Sequence, residues 1–142
     1  MRGRQLGGLL AALALAGCSA TAEGGAGTEY HPAVVEAVPG ADVWRVTLTD
    51  DAADRIGLEL GQVTRTADTT SIPYAALIYD GQGAAWVYVE DTPLSFVRRA
   101  VDVRRVEGRR VVVDEGLADG ARVAMTGATE LYGAELGIDG SH

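Results

Sequence analysis

Apolar and polar side chains alternate in short segments along the chain from residue 42 onward, and turn residues separate these segments. Alternation with a period of two residues is typical of half-buried β-strands. The segments that we predict to be extended are 42–48, 58–66, 72–79, 85–90, 101–113 and 122–125, and within them 74–79 is either a strand or a short turn. With turn signals about every ten residues, this pattern predicts an all-β fold with minor α content, a small β-roll or barrel of about 6–8 mostly antiparallel strands.

One segment departs from this alternation and predicts a helix. The hydroxyl of Thr49 can cap a helix N-terminus, and Asp50 and Asp51 suit the positive end of a helix dipole. Gly57 is the kind of residue that commonly ends a helix. We therefore predict one short helix near residues 50–56.

The segment 101–113 predicts a β-hairpin. If its valines share one face, Val103 lies opposite Val111 and Val101 lies opposite Val113, because a strand presents every second residue to the same side. This register leaves residues 106–108 as the loop. The loop ends on a glycine, which such loops favour at their left-handed position.

The first residues have the design of an export signal. Arg2 and Arg4 precede an apolar run at 6–16, which is shorter than the about 20 apolar residues that a membrane-spanning helix needs. Residues 15–18, Leu-Ala-Gly-Cys, resemble the lipobox of bacterial lipoproteins. The resemblance implies that the Cys18 thiol is diacylated and that the signal is removed just before it. The alternative is a plain secretory signal in which Cys18 has no role.

These features divide the chain into four parts. We predict a lipoprotein signal peptide at 1–17, a lipid anchor and flexible tether at 18–41, a β domain at 42–136 and a disordered tail at 137–142. The tether prediction starts from the Ala, Gly and Thr content of residues 19–28. The protein is then expected in the cell envelope, lipid-anchored and extracytoplasmic.

Charge and composition exclude several classes of function. The chain has 142 residues and a net charge of −8, and an acidic chain repels the phosphates of nucleic acid. Cys18 is the only cysteine, so its lipidation leaves no thiol for a disulfide or a thiolate metal site. His31 and His142 do not have a metal-ligand spacing. We expect no nucleic acid, no metal and no cofactor.

Two sets of polar residues could carry chemistry. Asp50, Asp51 and Asp54 form either a weak oxygen site for a hard cation or the capping acids of the short helix, and we favour capping. Ser71 and Ser95 have no histidine at a position suited to a catalytic triad. The sequence therefore does not predict an enzyme.

Arginines concentrate around the predicted hairpin, as the pairs 98–99, 104–105 and 109–110. One interpretation is protection of a sheet edge and cross-strand pairing with Asp102 and Asp114. The other is contact with anionic lipid headgroups or with an acidic partner surface. Under the second interpretation, the candidate partner-binding residues are Arg98, Arg99, Arg104 and Arg110.

Several short segments also carry a family resemblance. They are IPYAAL at 72–77, AWVYV at 85–89, VDV at 101–103, EGLADGARV at 115–123 and Gly-Ala at 127–128. In this order they resemble the membrane-proximal domain of periplasmic adaptor subunits, or membrane fusion proteins, of efflux systems. VTLT at 46–49 through RIGL at 55–58 is similar to the segment that opens adaptors of the heavy-metal branch of the RND pumps.

The chain also departs from that family. Full-length adaptors carry barrel, lipoyl-like and helical-hairpin parts between the segments that correspond to Val63 and Ile72, whereas here about eight residues separate them and span at most about 30 Å. The resemblance therefore implies a non-enzymatic module that docks on an inner-membrane export transporter, of RND or ABC type, without forming a conduit. The alternatives are a free-standing lipoprotein that binds a small ligand or cation, and a remnant without function.

Overall fold

The computed structural model describes residues 30–114 and 116–137, so Cys18, the signal peptide and the tail from 138 onward lie outside the described residues. Within them, the chain is mostly β-strand with two α-helices, which confirms the predicted all-β class with minor α content. The helices are α1 (Asp50–Ile56) and α2 (Ala128–Glu135). The strands are β1 (Ala33–Ala37), β2 (Trp44–Leu48), β3 (Leu60–Gln62), β4 (Thr64–Thr66), β5 (Thr69–Pro73), β6 (Ile78–Tyr79), β7 (Ala85–Thr92), β8 (Ser95–Ala100), β9 (Val103–Glu107), β10 (Arg110–Val113) and β11 (Arg122–Ala124).

The strands form two antiparallel sheets, and the described residues form no closed barrel. The large sheet has seven strands in the order β1-β2-β8-β7-β11-β3, and β6 also pairs with β7. The small sheet has four strands in the order β4-β5-β10-β9. The described residues form eleven strands, which exceeds the predicted range. The segment 58–66 splits into β3 and β4, the segment 72–79 splits into β5 and β6 around a 3₁₀ turn at Tyr74–Ala76, and β1 and β8 were not predicted.

The large sheet lies between two cores. On β7, Val87 belongs to the inter-sheet core, which fills the space between the two sheets, whereas its neighbour Tyr88 belongs to the helix-side core beneath α2. Adjacent residues of a strand point to opposite faces, so each strand of this sheet can serve both cores. The other buried members of the inter-sheet core are Val63, Ile72, Ala76, Val101, Val111, Val113, Leu117 and Val123.

The helix-side core depends on α2, which the sequence did not predict. Ala128 and Leu131 of α2 pack against Val46, Phe96 and Tyr88 of the large sheet. The buried side of α2 also carries a charged residue, Glu135. That carboxylate interrupts the apolar periodicity by which an amphipathic helix is found in a sequence.

Helix α1 has the predicted bounds and the predicted caps. The Thr49 Oγ1 accepts a hydrogen bond from the Ala52 backbone N–H at 3.1 Å, which satisfies one of the free donors at the helix start. Gly57 takes the left-handed conformation with a φ of +63°, and its N–H donates to carbonyls of the last turn. Local signals alone therefore define this helix.

Strand β1 lies inside the segment predicted as a tether. It pairs with β2 in register, with Ala33 opposite Leu48 and Ala37 opposite Trp44. The boundary predicted at residue 42 is therefore too late, and the folded part of the chain includes residue 33. Most side chains of β1 are exposed, so backbone hydrogen bonds rather than buried apolar side chains hold the strand, and the sequence pattern is weak there.

The hairpin forms, but its predicted register is wrong. Val111 pairs with Val106, and only Gly108 and Arg109 form the loop. A β-bulge between Val112 and Val113 shifts the register and brings Val113 opposite Val103. A bulge adds one residue to one strand, so a register that is predicted by placing every second residue on the same face does not reveal it.

The chain passes from the large sheet to the small sheet between β3 and β4, at the buried Val63. Gly61 of β3 lies next to this passage, where a larger side chain has no room. A Cβ at this position would lie 2.6 Å from Pro73 Cγ and 2.8 Å from Met125 Sδ. Gly61 therefore permits close packing between the edge of the large sheet and the end of β5.

Candidate functional site

The four candidate arginines lie on different sheets. Arg98 and Arg99 are on β8 of the large sheet, whereas Arg104 on β9 and Arg110 on β10 belong to the small sheet. Their side chains also differ in what they contact. The structure therefore does not bring the four together into one basic patch.

Arg98 is held in the helix-side core. Its side chain is 12% exposed and its Nη2 lies 3.1 Å from the Glu135 carboxylate. The guanidinium carbon lies 4.1 Å from the centre of the Trp86 ring and 5.4 Å from the centre of the Tyr132 ring, within the range of cation–π attraction. The Arg98 Nε is buried without a hydrogen-bond partner among the described residues.

Glu135 is the centre of a buried polar network. Its side chain is 1% exposed, and its carboxylate accepts hydrogen bonds from the Tyr88 hydroxyl and, at 3.3 Å, from the Trp44 backbone N–H. Burial raises the pKa of the Tyr88 hydroxyl, and the hydrogen bond to Glu135 raises it further. A charge in such a site requires all of these partners, so the network fixes the end of α2 on β2, β7 and β8.

The Trp86 ring above Arg98 is positioned by the turn that precedes β7. Its Nε1 donates a hydrogen bond to the Asp80 Oδ2 at 2.9 Å, and this bond is the main reason that the pKa of Asp80 lies below its usual value. The other oxygen of Asp80 accepts from the backbone N–H groups of Gln82 and Ala84. Asp80 therefore has a structural role in the turn between β6 and β7.

The Arg110 side chain on β10 forms hydrogen bonds to β5 and to the segment where β3 ends and β4 begins. Its Nε donates to the Ser71 Oγ at 3.0 Å. Its Nη2 donates to the Ser71 carbonyl at 2.8 Å, and to the Gln62 carbonyl and the Thr64 Oγ1 at 3.2 Å each. Nη1 takes part in none of these bonds. The side chain is thus fixed by β5 and by the β3–β4 connection.

Arg104 and Arg99 are exposed. Arg104 forms an ion pair with Asp114, which is the cross-strand pairing that the sequence predicted, and Arg105 pairs with Glu107 on the same strand. Arg99 forms no ion pair or hydrogen bond through its side chain with the described residues. Of the four candidates, these two are the ones a partner could reach.

Strand β9 forms one edge of the small sheet, and all of its residues are exposed. Its apolar side chains are open to solvent, since Val106 is 54% exposed and Val103 is 38% exposed. An edge strand has backbone N–H and C=O groups on one side that are free to pair with another chain. Strand β9 therefore combines free backbone groups, apolar side chains and arginines.

Two of the grooves formed by the described residues are candidate ligand sites. The Tyr74 groove has a volume of about 510 Å³ and is lined by Glu59, Pro73, Tyr74, Arg109, Arg110 and Met125, among others. The α1–α2 groove has a volume of about 280 Å³ and is lined mainly by small or aliphatic residues, among them Ala33, Leu48, Ala52, Ile56 and Gly133. The Tyr74 groove is lined by both charged and apolar residues, whereas the lining of the α1–α2 groove is mostly apolar.

The structure gives structural partners to other residues that the sequence singled out. The Ser71 hydroxyl accepts from Arg110, and the Ser95 hydroxyl shares a hydrogen bond of 2.8 Å with the Thr47 hydroxyl. Asp50 and Asp51 lie in the first turn of α1. The residues that the structure describes contain no group of His, Cys, Asp or Glu able to hold a metal ion, and no helix among them is long and apolar enough to cross a membrane.

No protein-family model, curated protein or solved structure matches this chain. The case for a function therefore rests on the contacts, burial and charges of the described residues, together with the sequence segments named above.

Proposed function

We propose that the protein is a non-enzymatic, extracytoplasmic lipoprotein that docks on an export transporter, of RND or ABC type, as an adaptor-like module for transmembrane transport. The observation that carries this proposal is the exposed edge strand β9. The ordered adaptor-like segments of the sequence, from 72–77 to 127–128, indicate the class of partner.

Strand β9 is suited to pairing with a strand of another protein. It ends the small sheet, so one row of its backbone groups has no strand partner in the described structure. A chain that adds to such an edge gains backbone hydrogen bonds, and alternate side chains give specificity. Here Val103 and Val106 offer apolar contacts, and Arg104 with its partner Asp114 offers a charged one.

The buried state of Arg98 narrows the docking surface. Because Arg98 is committed to Glu135 and two aromatic rings, and Arg110 to Ser71 and its neighbours, we assign neither to partner contact. Arg104 and Arg99 keep that proposed role.

Lipidation at Cys18 would keep the domain close to the membrane. Residues 18–29 lead to the first described residue, and a stretch of this length spans at most about 40 Å when fully extended. A module tethered in this way meets membrane proteins at a raised local concentration. At such a concentration, even a weak edge-strand pairing with a transporter is populated.

A second candidate function is binding of a small ligand by a free-standing lipoprotein. The Tyr74 groove favours it, because its volume of about 510 Å³ lies in the range of about 300–1,000 Å³ that is typical of small-molecule sites.

Crosslinking in intact cells of the native bacterium tests docking. A photoreactive benzoylphenylalanine replaces Val106 on β9 in one variant and Tyr79 on β6 in a control, both of which are more than half exposed in the native protein. We expect the variant at position 106 to crosslink to a transporter subunit, identified by mass spectrometry, and the control at position 79 to give little of that product. Equal crosslinking at both positions, or no transporter subunit at position 106, would contradict the proposal.

A further inference from the structure

Arg109 differs from the three other arginines of the β9–β10 hairpin. Arg104, Arg105 and Arg110 all have ion-pair or hydrogen-bond partners. The Arg109 side chain is exposed and forms no ion pair or hydrogen bond within the described parts of the chain. In a protein with a net charge of −8, a guanidinium without a carboxylate partner is a local site of attraction for an anion.

The position of Arg109 is fixed although its side chain is free. Its backbone carbonyl accepts a hydrogen bond from the Tyr74 N–H at 2.9 Å. This bond joins the β9–β10 loop to the turn after β5, and both segments line the Tyr74 groove. A ligand in the groove would therefore meet Arg109 without a rearrangement of the backbone, which lowers the entropic cost of binding.

Arg110 also lines this groove, and its guanidinium is already ordered by the protein. Its Nε and Nη2 are occupied by Ser71, Gln62 and Thr64, and these bonds fix the plane of the group. The remaining nitrogen, Nη1, has N–H donors to offer. A guanidinium that is already ordered loses little side-chain entropy when it binds an anion.

The rest of the groove is suited to an apolar or aromatic body. Tyr74 is 52% exposed, so its ring is open to stacking. Pro73 and Met125 line the groove beside it, and a methionine thioether adapts to aromatic neighbours. Aromatic groups commonly stack edge-on or offset on such surfaces.

Glu59 limits which way round a ligand binds. Glu59 also lines the groove, and its carboxylate accepts a hydrogen bond from the Thr126 hydroxyl at 2.6 Å. A negative group on the ligand would be repelled there and attracted by Arg109 and Arg110. We propose that the Tyr74 groove binds a small organic anion, with its carboxylate or sulfonate at these two arginines and its apolar body against Tyr74 and Met125.

This proposal deepens the second candidate function, ligand binding in the Tyr74 groove, and its test on the purified protein is separate from the crosslinking test of transporter docking. The probe is naphthalene sulfonate, an aromatic anion, titrated by calorimetry into the full chain in detergent, with a protein-free blank in the same detergent. Naphthalene methanol is the uncharged comparison. We expect the anion to bind more tightly than the alcohol and to lose affinity as salt increases.

Three variants locate the site. Arg109→Ala is expected to weaken sulfonate binding about tenfold, as the loss of one charge-assisted contact does, and to leave the alcohol unaffected. Tyr74→Ala is expected to weaken both probes. Arg99→Ala is the matched control, because it removes another exposed arginine outside the groove, and it should change neither affinity. All three positions are exposed, so unchanged melting temperatures verify the fold.

A fourth variant separates the two grooves. A Cβ at Gly133 would meet nothing within 4 Å, and Gly133 lines the α1–α2 groove, so Gly133→Leu is chosen to fill that groove, with an unchanged melting temperature as the check on the fold. Sulfonate binding that is lost in Gly133→Leu but retained in Arg109→Ala would overturn the proposal. Equal effects of Arg109→Ala and Arg99→Ala, or no binding by the native protein at millimolar probe, would overturn it as well.

Discussion

On one face of β7, Val87 lies in a core of aliphatic side chains between the two sheets, and on the other face Tyr88 lies beside a buried ion pair under α2. When a side chain of the inter-sheet core is made smaller, the loss in the free energy of unfolding depends on the volume of the cavity that remains. The helix-side core contains Arg98 and Glu135, whose charges must stay paired. The same sheet therefore has one face stabilised by packing and one whose stability depends on a few polar contacts.

The largest expected effect is on the helix-side face. Glu135→Ala leaves Arg98 buried without its carboxylate, and we expect a loss of about 3–5 kcal/mol in the free energy of unfolding, measured by chemical denaturation. Replacing both partners, as Arg98→Leu with Glu135→Leu, removes the unpaired charge and should cost less than Glu135→Ala alone. A loss below about 1 kcal/mol for Glu135→Ala would show that the pair does not stabilise α2 on the sheet.

Alkaline pH provides a second test of the same face. The pKa of Tyr88 in the folded protein lies above its ordinary value of 10.0, so the folded state binds this proton more tightly than the unfolded state. Its contribution is fully present below pH 10 and is lost as the pH rises towards the folded pKa, at up to about 1.4 kcal/mol per pH unit. We expect Tyr88→Phe to flatten the fall of stability between about pH 10 and pH 11, measured by denaturation at each pH.

The control for this pH dependence is Tyr79→Phe, because Tyr79 is 55% exposed. The control should retain the slope of the native protein. An equal change of slope in both variants would contradict the assignment of the alkaline transition to Tyr88.

A smaller effect is expected in the inter-sheet core. Ile72 is fully buried there, and Ile72→Val removes one methylene at a cost of about 1 kcal/mol. Thermal and chemical denaturation should show this loss equally at neutral and alkaline pH, since no titratable group takes part. A loss that grows with pH would break the distinction between the two faces.

The smallest effect is expected at the surface. Arg104 and Asp114 form an ion pair in which both side chains are more than a third exposed, and such pairs contribute about 0–1 kcal/mol. Arg104→Ala should therefore leave the free energy of unfolding nearly unchanged in denaturant titrations. A loss as large as that of Glu135→Ala would mean that exposed and buried ion pairs in this protein are equivalent.

The sequence was sufficient for features whose cause is local. Helix α1 follows from Thr49, its acidic first turn and Gly57, all within a few residues of one another. The alternation along 85–90 likewise predicts a strand, and β7 (Ala85–Thr92) covers that segment. Each of these depends on neighbouring residues.

Features that depend on distant partners were not predictable in this way. Glu135 meets the backbone of Trp44, which lies 91 positions earlier in the chain, and nothing near Glu135 in the sequence indicates that contact. The bulge at Val112 and Val113 changes which valines share a face. The Tyr74 groove likewise combines segments that are far apart in the sequence, so only the arginine pair 109–110 was visible in advance.

The proposed function depends on anchoring at Cys18, and one measurement tests it directly. Cells are grown with an alkyne analogue of palmitate, and the mature protein is purified, tested for label and analysed by mass spectrometry at its N-terminus, with Cys18→Ala as the matched variant. The account predicts a labelled protein that begins at an acylated Cys18, and no label in the variant. A mature protein that carries an unmodified Cys18 thiol, or an N-terminus elsewhere, would contradict it.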